Sequence, residues 1–230
     1  MDDDIILEAT YLREILKVYE MKPDALGVQG YMLDDSERPN FWRKIFFQPY
    51  FESGTCRVFP SIRSTYPLAP DTLISCERLA GGNSAYRRSI LAEFPFDESL
   101  LKYSFGEDLD QSYRVFKRYP GSLWLTPFAR SIHKASPVGR ATSQEHIYIR
   151  EVYGLYLFYK LFVPTPYNQC VYWWSFLGRL LGQIKHPSRA AYDELAHMLG
   201  ALGFCLRHLR EIQCGSLESF NRTLVNDRDA

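Results

Sequence analysis

The pattern of apolar and polar residues predicts a helix and then a strand at the start of the chain. Over residues 8–21, apolar side chains recur at spacings of three and four, and Pro23 follows as a stop signal. The side chains expected on the inward face of this helix are Leu12, Ile15, Leu16 and Tyr19. Residues 26–33 form a short run of mainly apolar residues, which predicts a buried strand.

Residues 34–70 are rich in proline and aromatic residues and are predicted to form a long loop. A loop of this length within a compact domain is usually functional, so its aromatic side chains could form one wall of a substrate cleft. Local packing of the same side chains is the alternative interpretation. The aromatic residues are Phe41, Trp42, Phe46, Phe47, Tyr50, Phe51, Phe59 and Tyr66.

Two more short strands are predicted further along, over residues 73–76 and 123–126. Between them, Gly81 and Gly82 precede a predicted helix. Paired glycines allow the backbone to approach a ligand closely, and a helix N-terminus favours an anion. The spacing of these glycines does not match a dinucleotide-binding or P-loop motif.

From residue 143 the composition changes to stretches rich in aromatic residues and leucine. We predict helices over residues 146–163, 167–184 and 192–212, followed by a frayed polar tail from Asn221. Arg179 interrupts the second stretch, so this helix is expected at a membrane interface and not across a bilayer. Packing as an ordinary helical appendage is the alternative. The predicted domains are therefore residues 1–142 and residues 143–230.

Charge and cysteine content limit the classes of function. The 230 residues include 27 basic and 27 acidic side chains, and this zero net charge argues against nucleic acid as the main partner. The aromatic share of 15% suits stacking on rings or a membrane interface. Five cysteines without CxxC spacing predict a reduced protein with no disulfide framework and no structural zinc. The acidic N-terminus lacks a signal-peptide pattern, so a cytoplasmic location is expected.

Residues 106–114 carry the densest group of acids, with Glu107, Asp108 and Asp110 within four positions. Gly106 allows a sharp turn before them, and acids in the first turn of a helix favour its dipole. Three acids followed by Arg114 one turn later indicate a role beyond capping. A solvated, well-capped helix start is the alternative explanation.

Two further groups of polar residues could act together with these acids. Asp2, Asp3 and Asp4 are adjacent carboxylates that repel one another, and a hard divalent metal bound to phosphate would satisfy them. A solvated chain terminus is the alternative for these three acids. His133 lies in a locally basic stretch with Arg130, which suits phosphate, although a lone histidine is more often a surface residue.

Four motifs therefore stand in a fixed order along the chain, namely residues 2–4, 81–83, 106–108 and His133. This order resembles that of the family-two glycosyltransferases with the A-type nucleotide-sugar fold, which carry an acidic DxD motif, a glycine loop, an ED motif and a late histidine. The resemblance covers about residues 1–140. It implies an α/β fold that is the C-terminal part of an A-type glycosyltransferase, with a Rossmann-like mixed sheet and an α-helical C-terminal extension.

The resemblance also implies an activity and its partners. It implies metal-dependent, inverting transfer of a hexose or related sugar from a nucleotide-diphosphate donor to a saccharide or lipid-linked acceptor. Such transfer belongs to polysaccharide biosynthesis at the cytoplasmic face of a membrane, where peripheral contact of the helical extension would be useful. Mn²⁺ or Mg²⁺ is the implied cofactor.

The resemblance assigns a role to each motif. Asp2, Asp4 and His133 would hold the metal, Asp108 corresponds to the general base that takes the acceptor proton, and Glu107 would orient the acceptor. The residues assigned to donor and acceptor binding are Asp3, Gly81, Gly82, Asn83, Asp110, Arg114 and Arg130. The last acid and its arginine, Asp110 and Arg114, could fix the orientation of the base or could simply pair on the helix surface.

One feature departs from the family pattern. In the family, an N-terminal half that binds the nucleotide base precedes the DxD motif, whereas here the acids begin at residue 2. A start further upstream, a fragment, and a half borrowed from a partner chain are the three explanations. The alternative function is a catalytically impaired fragment that binds a membrane or a partner, and a metal-dependent phosphohydrolase is a third hypothesis.

Overall fold

The computed structural model describes residues 5–33, 40–102, 105–134, 143–185 and 188–226, with the backbone alone described at Leu33, His133, Ser143 and Asn226. Internal contacts divide the chain into two units. Unit 1 comprises Met1–Phe59, Arg63–Phe96 and Glu107–Val138. Unit 2 comprises Pro60–Ile62, Asp97–Gly106 and Gly139–Ala230.

Unit 1 contains both strands and helices. Its strands are β1 (Ile5–Leu7), β2 (Gly27–Leu33), β3 (Tyr50–Glu52), β4 (Val58–Phe59), β5 (Arg63–Pro67), β6 (Ile74–Ser75), β7 (Ser84–Tyr86) and β8 (Leu123–His133). Its helices are α1 (Tyr11–Met21), α2 (Phe41–Ile45), α3 (Arg88–Glu93) and α4 (Glu107–Arg118), and a single 3-10 turn covers Gly81–Asn83.

The main sheet is built around β8, which is much longer than the predicted strand over residues 123–126. β2 pairs with β8 in parallel, and β7 pairs with the far edge of β2 in the antiparallel sense. On its other side, β8 pairs antiparallel with β6 near its start and with β1 near its end. The described residues therefore form a mixed α/β fold with a curled mixed sheet, which confirms the predicted α/β class at this level.

A bulge interrupts the pairing of β2 with β8. Gly30 pairs with Thr126, but the next residue, Tyr31, pairs with Arg130. A Cβ atom at residue 30 would collide with the carbonyl oxygen of Ala129 and with the ring of Tyr11. Glycine is therefore required where the two strands shift register.

Helices cover both faces of the main sheet. On one face, Tyr11, Ile15 and Val18 of α1 pack with Val28 and Ala129. On the other face, α3 and α4 contribute to a cluster of buried residues that comprises Cys56, Ile74, Cys76, Leu79, Ile90, Val115, Leu123 and Leu125.

The predicted inward face of α1 is wrong at two positions. Leu12 and Leu16 have exposed fractions of 68% and 61%, whereas Ile15 is buried as expected. Two overlapping rows of apolar side chains run along this helix. The row that begins at Tyr11 faces the sheet because the Tyr11 hydroxyl finds hydrogen-bond partners there.

The described part of the predicted loop over residues 34–70 contains regular structure. Besides α2, it forms a three-stranded sheet in the order β3-β5-β4, so the prediction of a long loop is wrong. Its aromatic rings pack on one another in this small sheet. The ring pairs include Phe47 with Phe59, Tyr50 with Phe59, and Phe51 with Tyr66, at centroid distances of 5.4, 6.0 and 5.8 Å.

Unit 2 is mainly helical. Its helices are α5 (Ser143–Leu161), α6 (Pro166–Lys185), α7 (Arg189–Arg207), α8 (Leu209–Gln213) and α9 (Glu218–Asn226). α5 is the central helix, since its residues from Ile149 to Phe158 are nearly all buried. The frayed tail predicted from Asn221 is wrong over residues 221–226, which belong to α9 and include the buried Leu224, and its remainder lies outside the described residues. Among the described residues, no helix has the length and apolar character needed to cross a membrane.

Ion pairs and hydrogen bonds tie the parts of unit 2 together. Glu151 of α5 is buried and bonds both Arg150 and Arg179, with 2.6 Å between its Oε2 and the Nη2 of Arg179. Asp97 accepts hydrogen bonds from the hydroxyl of Tyr156 at 2.6 Å and from the ammonium of Lys160 at 2.5 Å. These contacts hold both α6 and the segment before α4 onto the central helix.

Candidate functional site

Asp108 lies in the first turn of α4, which starts directly after Gly106 with its positive φ of 82°. The Oδ2 atom of Asp108 accepts hydrogen bonds from Nη2 of Arg78 at 3.1 Å and from the backbone N–H of Gly81 at 3.2 Å. Its Oδ1 atom accepts from the backbone N–H of Leu109 at 2.7 Å. The carboxylate is therefore held through both oxygens, with two of the three bonds on Oδ2, while 27% of the side chain stays exposed.

The glycine loop comes close to Asp108 because residue 81 has no side chain. A Cβ atom at Gly81 would lie only 3.3 Å from the Cβ of Asp108. The helix expected directly after the glycines is wrong, since the 3-10 turn leads into β7 and α3 begins only at Arg88. The glycines therefore do not lie directly before the N-terminus of a helix. The anion site that such an N-terminus would provide is not formed at the glycines.

Buried hydrogen bonds fix the far end of the glycine loop to the main sheet. The Nδ2 of Asn83 donates to the carbonyl oxygen of Gly30 at 3.0 Å and lies 3.1 Å from the Oγ of Ser131. The hydroxyl of Tyr11 accepts from the N–H of Gly30 at 3.1 Å and donates to the carbonyl oxygen of Asn83. Near the other end, the Oε1 of Gln29 accepts from the N–H of Ala80 at 2.5 Å. The loop is thus rigidly placed relative to β2 and β8.

Arg78 is the buried cation of this site. Its Nη1 donates to the Oγ of Ser64 at 3.3 Å, and its guanidinium lies over the ring of Tyr66, 5.0 Å from the centroid. Burial lowers the pKa of the guanidinium, but Tyr66 and Asp108 raise it, and the balance holds the pKa of Arg78 above its ordinary value. Arg78 therefore presents a permanent positive charge to Asp108.

Tyr86 of β7 is a second titratable group near Asp108. Burial is the main cause that raises the pKa of the Tyr86 hydroxyl, and the negative charge of Asp108 raises it further. Hydrogen bonds with Ser84 and Ser112 act in the opposite direction but leave the pKa well above its usual range. The phenol therefore stays neutral at physiological pH, and in that state it can donate a hydrogen bond.

The other acids of α4 lie in different surroundings. Asp110 is fully buried and pairs with Arg114, with 2.9 Å between Oδ2 and Nη2. Arg114 also donates to the carbonyl oxygen of Pro95 at 2.6 Å. This pair was expected either to orient the base or to form an ion pair between neighbouring turns of the helix. The described contact is an ion pair between positions i and i+4. Glu107 is half-buried at the first residue of the helix, beside Asp108.

The predicted metal ligands lie outside the described residues, since Asp2, Asp3 and Asp4 and the side chain of His133 are not described. The backbone register pairs Ile5 with His133. Arg130, three residues earlier on β8, is exposed and donates from Nε to the carbonyl oxygen of Pro127 at 3.3 Å. Across the residues that the structure does describe, no group of three or more histidine, cysteine or acidic side chains could hold a metal ion.

Three residues that shape this site were not predicted from the sequence, namely Arg78, Tyr11 and Gln29. Arg78 stands only three residues before Gly81, but its partner Asp108 is 30 positions away. Tyr11 could have been noticed as the polar-tipped member of an apolar helix face, because a buried tyrosine hydroxyl usually finds a partner.

No model of a known protein family matches the chain, and a search of curated proteins gives no match either. An assignment of family and function therefore depends on the motifs and on the geometry around Asp108. That geometry is a partly exposed carboxylate next to the glycine loop. Its Oδ2 accepts from an arginine and a backbone N–H, and its Oδ1 accepts from the backbone N–H of Leu109. A partly exposed carboxylate of this kind can accept a proton from a hydroxyl group.

Proposed function

We propose that the protein transfers a sugar from a nucleotide-diphosphate donor to a hydroxyl group of a saccharide or lipid-linked acceptor, as an A-type glycosyltransferase of family two. The hydrogen bond from the N–H of Gly81 to the Oδ2 of Asp108, 3.2 Å long, is the observation that carries the proposal. It joins the glycine loop and the acidic motif, which are 27 positions apart in the sequence.

In the proposed reaction, the acceptor oxygen forms a bond to the anomeric carbon while the bond from that carbon to the diphosphate breaks, with inversion of configuration. Asp108 takes the proton of the attacking hydroxyl as general base. Because Oδ2 accepts two hydrogen bonds, from Arg78 and Gly81, whereas Oδ1 accepts one, from the backbone N–H of Leu109, we assign Oδ1 to the incoming proton. Glu107, the preceding residue, would orient the acceptor.

Mn²⁺ or Mg²⁺ is part of the proposal, with Asp2, Asp4 and His133 as the residues that would hold it and Asp3 beside the donor. The pairing of Ile5 with His133 supports this grouping, since it places the strand that follows the acids against the strand end that carries the histidine. Carboxylate oxygens and an imidazole suit such an ion. The bound ion would neutralise charge on the departing diphosphate.

The remaining assigned residues would form the walls of the sugar and diphosphate sites. Gly81, Gly82 and Asn83 provide a rigid loop beside the base, and the exposed guanidinium of Arg130 suits an anionic donor. We place this activity in polysaccharide biosynthesis at the cytoplasmic face of a membrane, where lipid-linked acceptors occur. A binding experiment with a panel of nucleotide-sugars would identify the sugar and the nucleotide of the donor.

Thermal unfolding in the presence of Mn²⁺ and a panel of nucleoside diphosphates and nucleotide-sugars tests the proposal. A compound that binds the folded state raises the midpoint of unfolding, and the same panel with a chelator gives the control. At least one compound should raise the midpoint only with metal. If no compound raises the midpoint, the proposed glycosyltransferase function is rejected, and a binding module without catalytic activity becomes the better hypothesis. Release of phosphate without sugar transfer would instead favour a phosphohydrolase.

A further inference from the structure

An uncharged stripe runs along the exposed side of α6 in unit 2. Between residues 167 and 184, the exposed positions recur at spacings of three and four, and each carries an uncharged side chain. We call this set the α6 stripe, and it consists of Tyr167, Cys170, Trp174, Leu177, Leu181 and Ile184. The exposed fractions reach 68% at Tyr167 and 56% at Ile184, which is high for large apolar side chains.

The opposite side of α6 explains why the stripe is confined to one face. Val171, Tyr172 and Phe176 are buried, and Phe176 belongs to a core cluster with Ile147 of α5 and Met198 of α7. Arg179 also lies on this side, where its Nη2 bonds the buried Glu151 at 2.6 Å. The charge that interrupts the sequence pattern of this helix is therefore directed away from the stripe.

The neighbouring helix α7 carries a second exposed apolar row. Tyr192, Leu199 and Leu206 lie seven residues apart, with exposed fractions of 60%, 49% and 57%. The small residues Ala196 and Gly203 are also exposed and fall between them at helical spacing. Two adjacent helices of unit 2 thus present apolar rows to solvent.

Cationic side chains lie at both ends of the exposed row of α7 and at the C-terminal end of the α6 stripe. Among the exposed charged residues of α6, α7 and α8, four are basic and one, Asp193, is acidic. The four basic residues are Lys185, Arg189, Arg207 and Arg210. Aromatic and aliphatic side chains flanked by lysine and arginine match a layer of anionic lipid headgroups above acyl chains.

This charge distribution discriminates between two occupants of the surface. If two copies of the chain packed on each other through this surface, the same patch would face itself, and the basic ends of the α7 row would meet basic ends in either orientation. An anionic lipid surface instead offers opposite charge at every basic residue. We propose that the α6 stripe and the exposed row of α7 dock on the surface of a bilayer that contains anionic lipids.

The proposal goes beyond sugar transfer and does not depend on it, so it can be tested without a known substrate. The experiment is flotation of the purified full chain with vesicles of phosphatidylcholine containing about one-third phosphatidylglycerol, with pure phosphatidylcholine vesicles as the comparison. The wild type should float with the anionic vesicles, and its binding should weaken with added salt.

Matched variants locate the surface. Leu177→Gln with Leu181→Gln should reduce binding about tenfold or more, because each leucine loses apolar contact with the acyl region. The control is Leu12→Gln with Leu16→Gln, which removes two leucines of greater exposure from α1 and should leave binding unchanged. Arg189→Gln with Arg207→Gln should weaken binding to anionic vesicles selectively.

A second measurement does not depend on how the leucine variants fold. Brominated lipids should quench the tryptophan fluorescence of the bound wild type, and Trp174→Phe should remove most of that quenching, since Trp174 is the tryptophan of the stripe. Failure of the wild type to float, equal effects of the α6 and α1 variants, or quenching that persists in Trp174→Phe would each overturn the proposal. So would a wild-type dimer that the leucine variant dissociates without altering flotation.

Discussion

Arg78 and Asp108 form an ion pair in which Nη2 and Oδ2 are 3.1 Å apart, with side-chain exposures of 10% and 27%. Ser64 and Tyr66 hold the guanidinium independently of Asp108. Arg78 therefore keeps the Oδ2 of Asp108 next to the glycine loop, and under the proposed function it is a positioning residue.

Replacement of Arg78 should destabilise the fold in a graded way. We expect Arg78→Gln to lower the free energy of unfolding by about 2–3 kcal/mol, because it leaves a partly buried carboxylate without its cation. Arg78→Lys should have a smaller effect, since it keeps the charge but lacks the planar fork that reaches both Ser64 and Asp108. Urea unfolding at pH 7 gives both values.

A double-mutant cycle separates the ion pair from other effects of the arginine. The free energies of Arg78→Gln and Asp108→Asn should be non-additive by about 1 kcal/mol or more in the double variant. Strict additivity would show that the two side chains do not interact in solution.

Gly81→Ala should impair the site more than the fold. The added methyl group would lie 3.3 Å from the Cβ of Asp108, so the loop or the carboxylate must move by a few tenths of an ångström. We expect transfer to fall about tenfold or more, while the free energy of unfolding changes by less than about 1 kcal/mol. The matched control is Gly203→Ala on α7, where the new methyl group meets nothing within 4 Å. That change should stabilise the protein by about 0.5–1 kcal/mol and leave transfer unchanged.

Asp97 should make the stability of the protein sensitive to acid. Burial raises the pKa of this carboxyl, but hydrogen bonds from Lys160, Ser99 and Tyr156 outweigh burial and hold its pKa well below the ordinary value. A carboxyl with a lowered pKa in the folded state contributes stability above its unfolded pKa of about 4, and that contribution is lost as the pH falls further.

The free energy of unfolding of the wild type should therefore fall between about pH 5 and pH 2, and Asp97→Asn should flatten this dependence. At pH 7 the variant should be less stable by about 2 kcal/mol, because Lys160 loses its charged partner. Equal slopes against pH in urea titrations of the two proteins would contradict the role given to Asp97.

The sequence allowed the main elements of unit 1 to be predicted, but not which faces they bury. For α1, rows through Leu12 and through Tyr11 both have helical spacing, and only contacts with β2 and β8 decide between them. β8 was predicted too short, since Pro127 suggests a break, whereas the strand accommodates it at the bulge opposite Gly30. The small sheet of β3, β4 and β5 has strands too short for a periodic signal.

The candidate site was only partly predictable for a related reason. Gly81, Asn83 and Asp108 could be selected because glycine pairs and acids at a helix start are local patterns. Arg78 and Tyr11 act through partners 30 and 72 positions away, and a single sequence carries no sign of such pairings. The same limit applies to the α6 stripe, since spacing alone does not reveal which side of a helix the protein covers.

The most direct test of the proposed function compares sugar transfer by the wild type and by Asp108→Asn, with a donor selected by the unfolding experiment and with saccharide and lipid acceptors. The amide can still accept hydrogen bonds from Arg78 and Gly81 but cannot take a proton, so donor affinity should stay within about twofold while kcat falls about 10³-fold. Asp71→Asn, a change at an exposed acid, serves as the control and should leave both values unchanged. Wild-type kcat in Asp108→Asn would contradict the assignment of Asp108 as the general base.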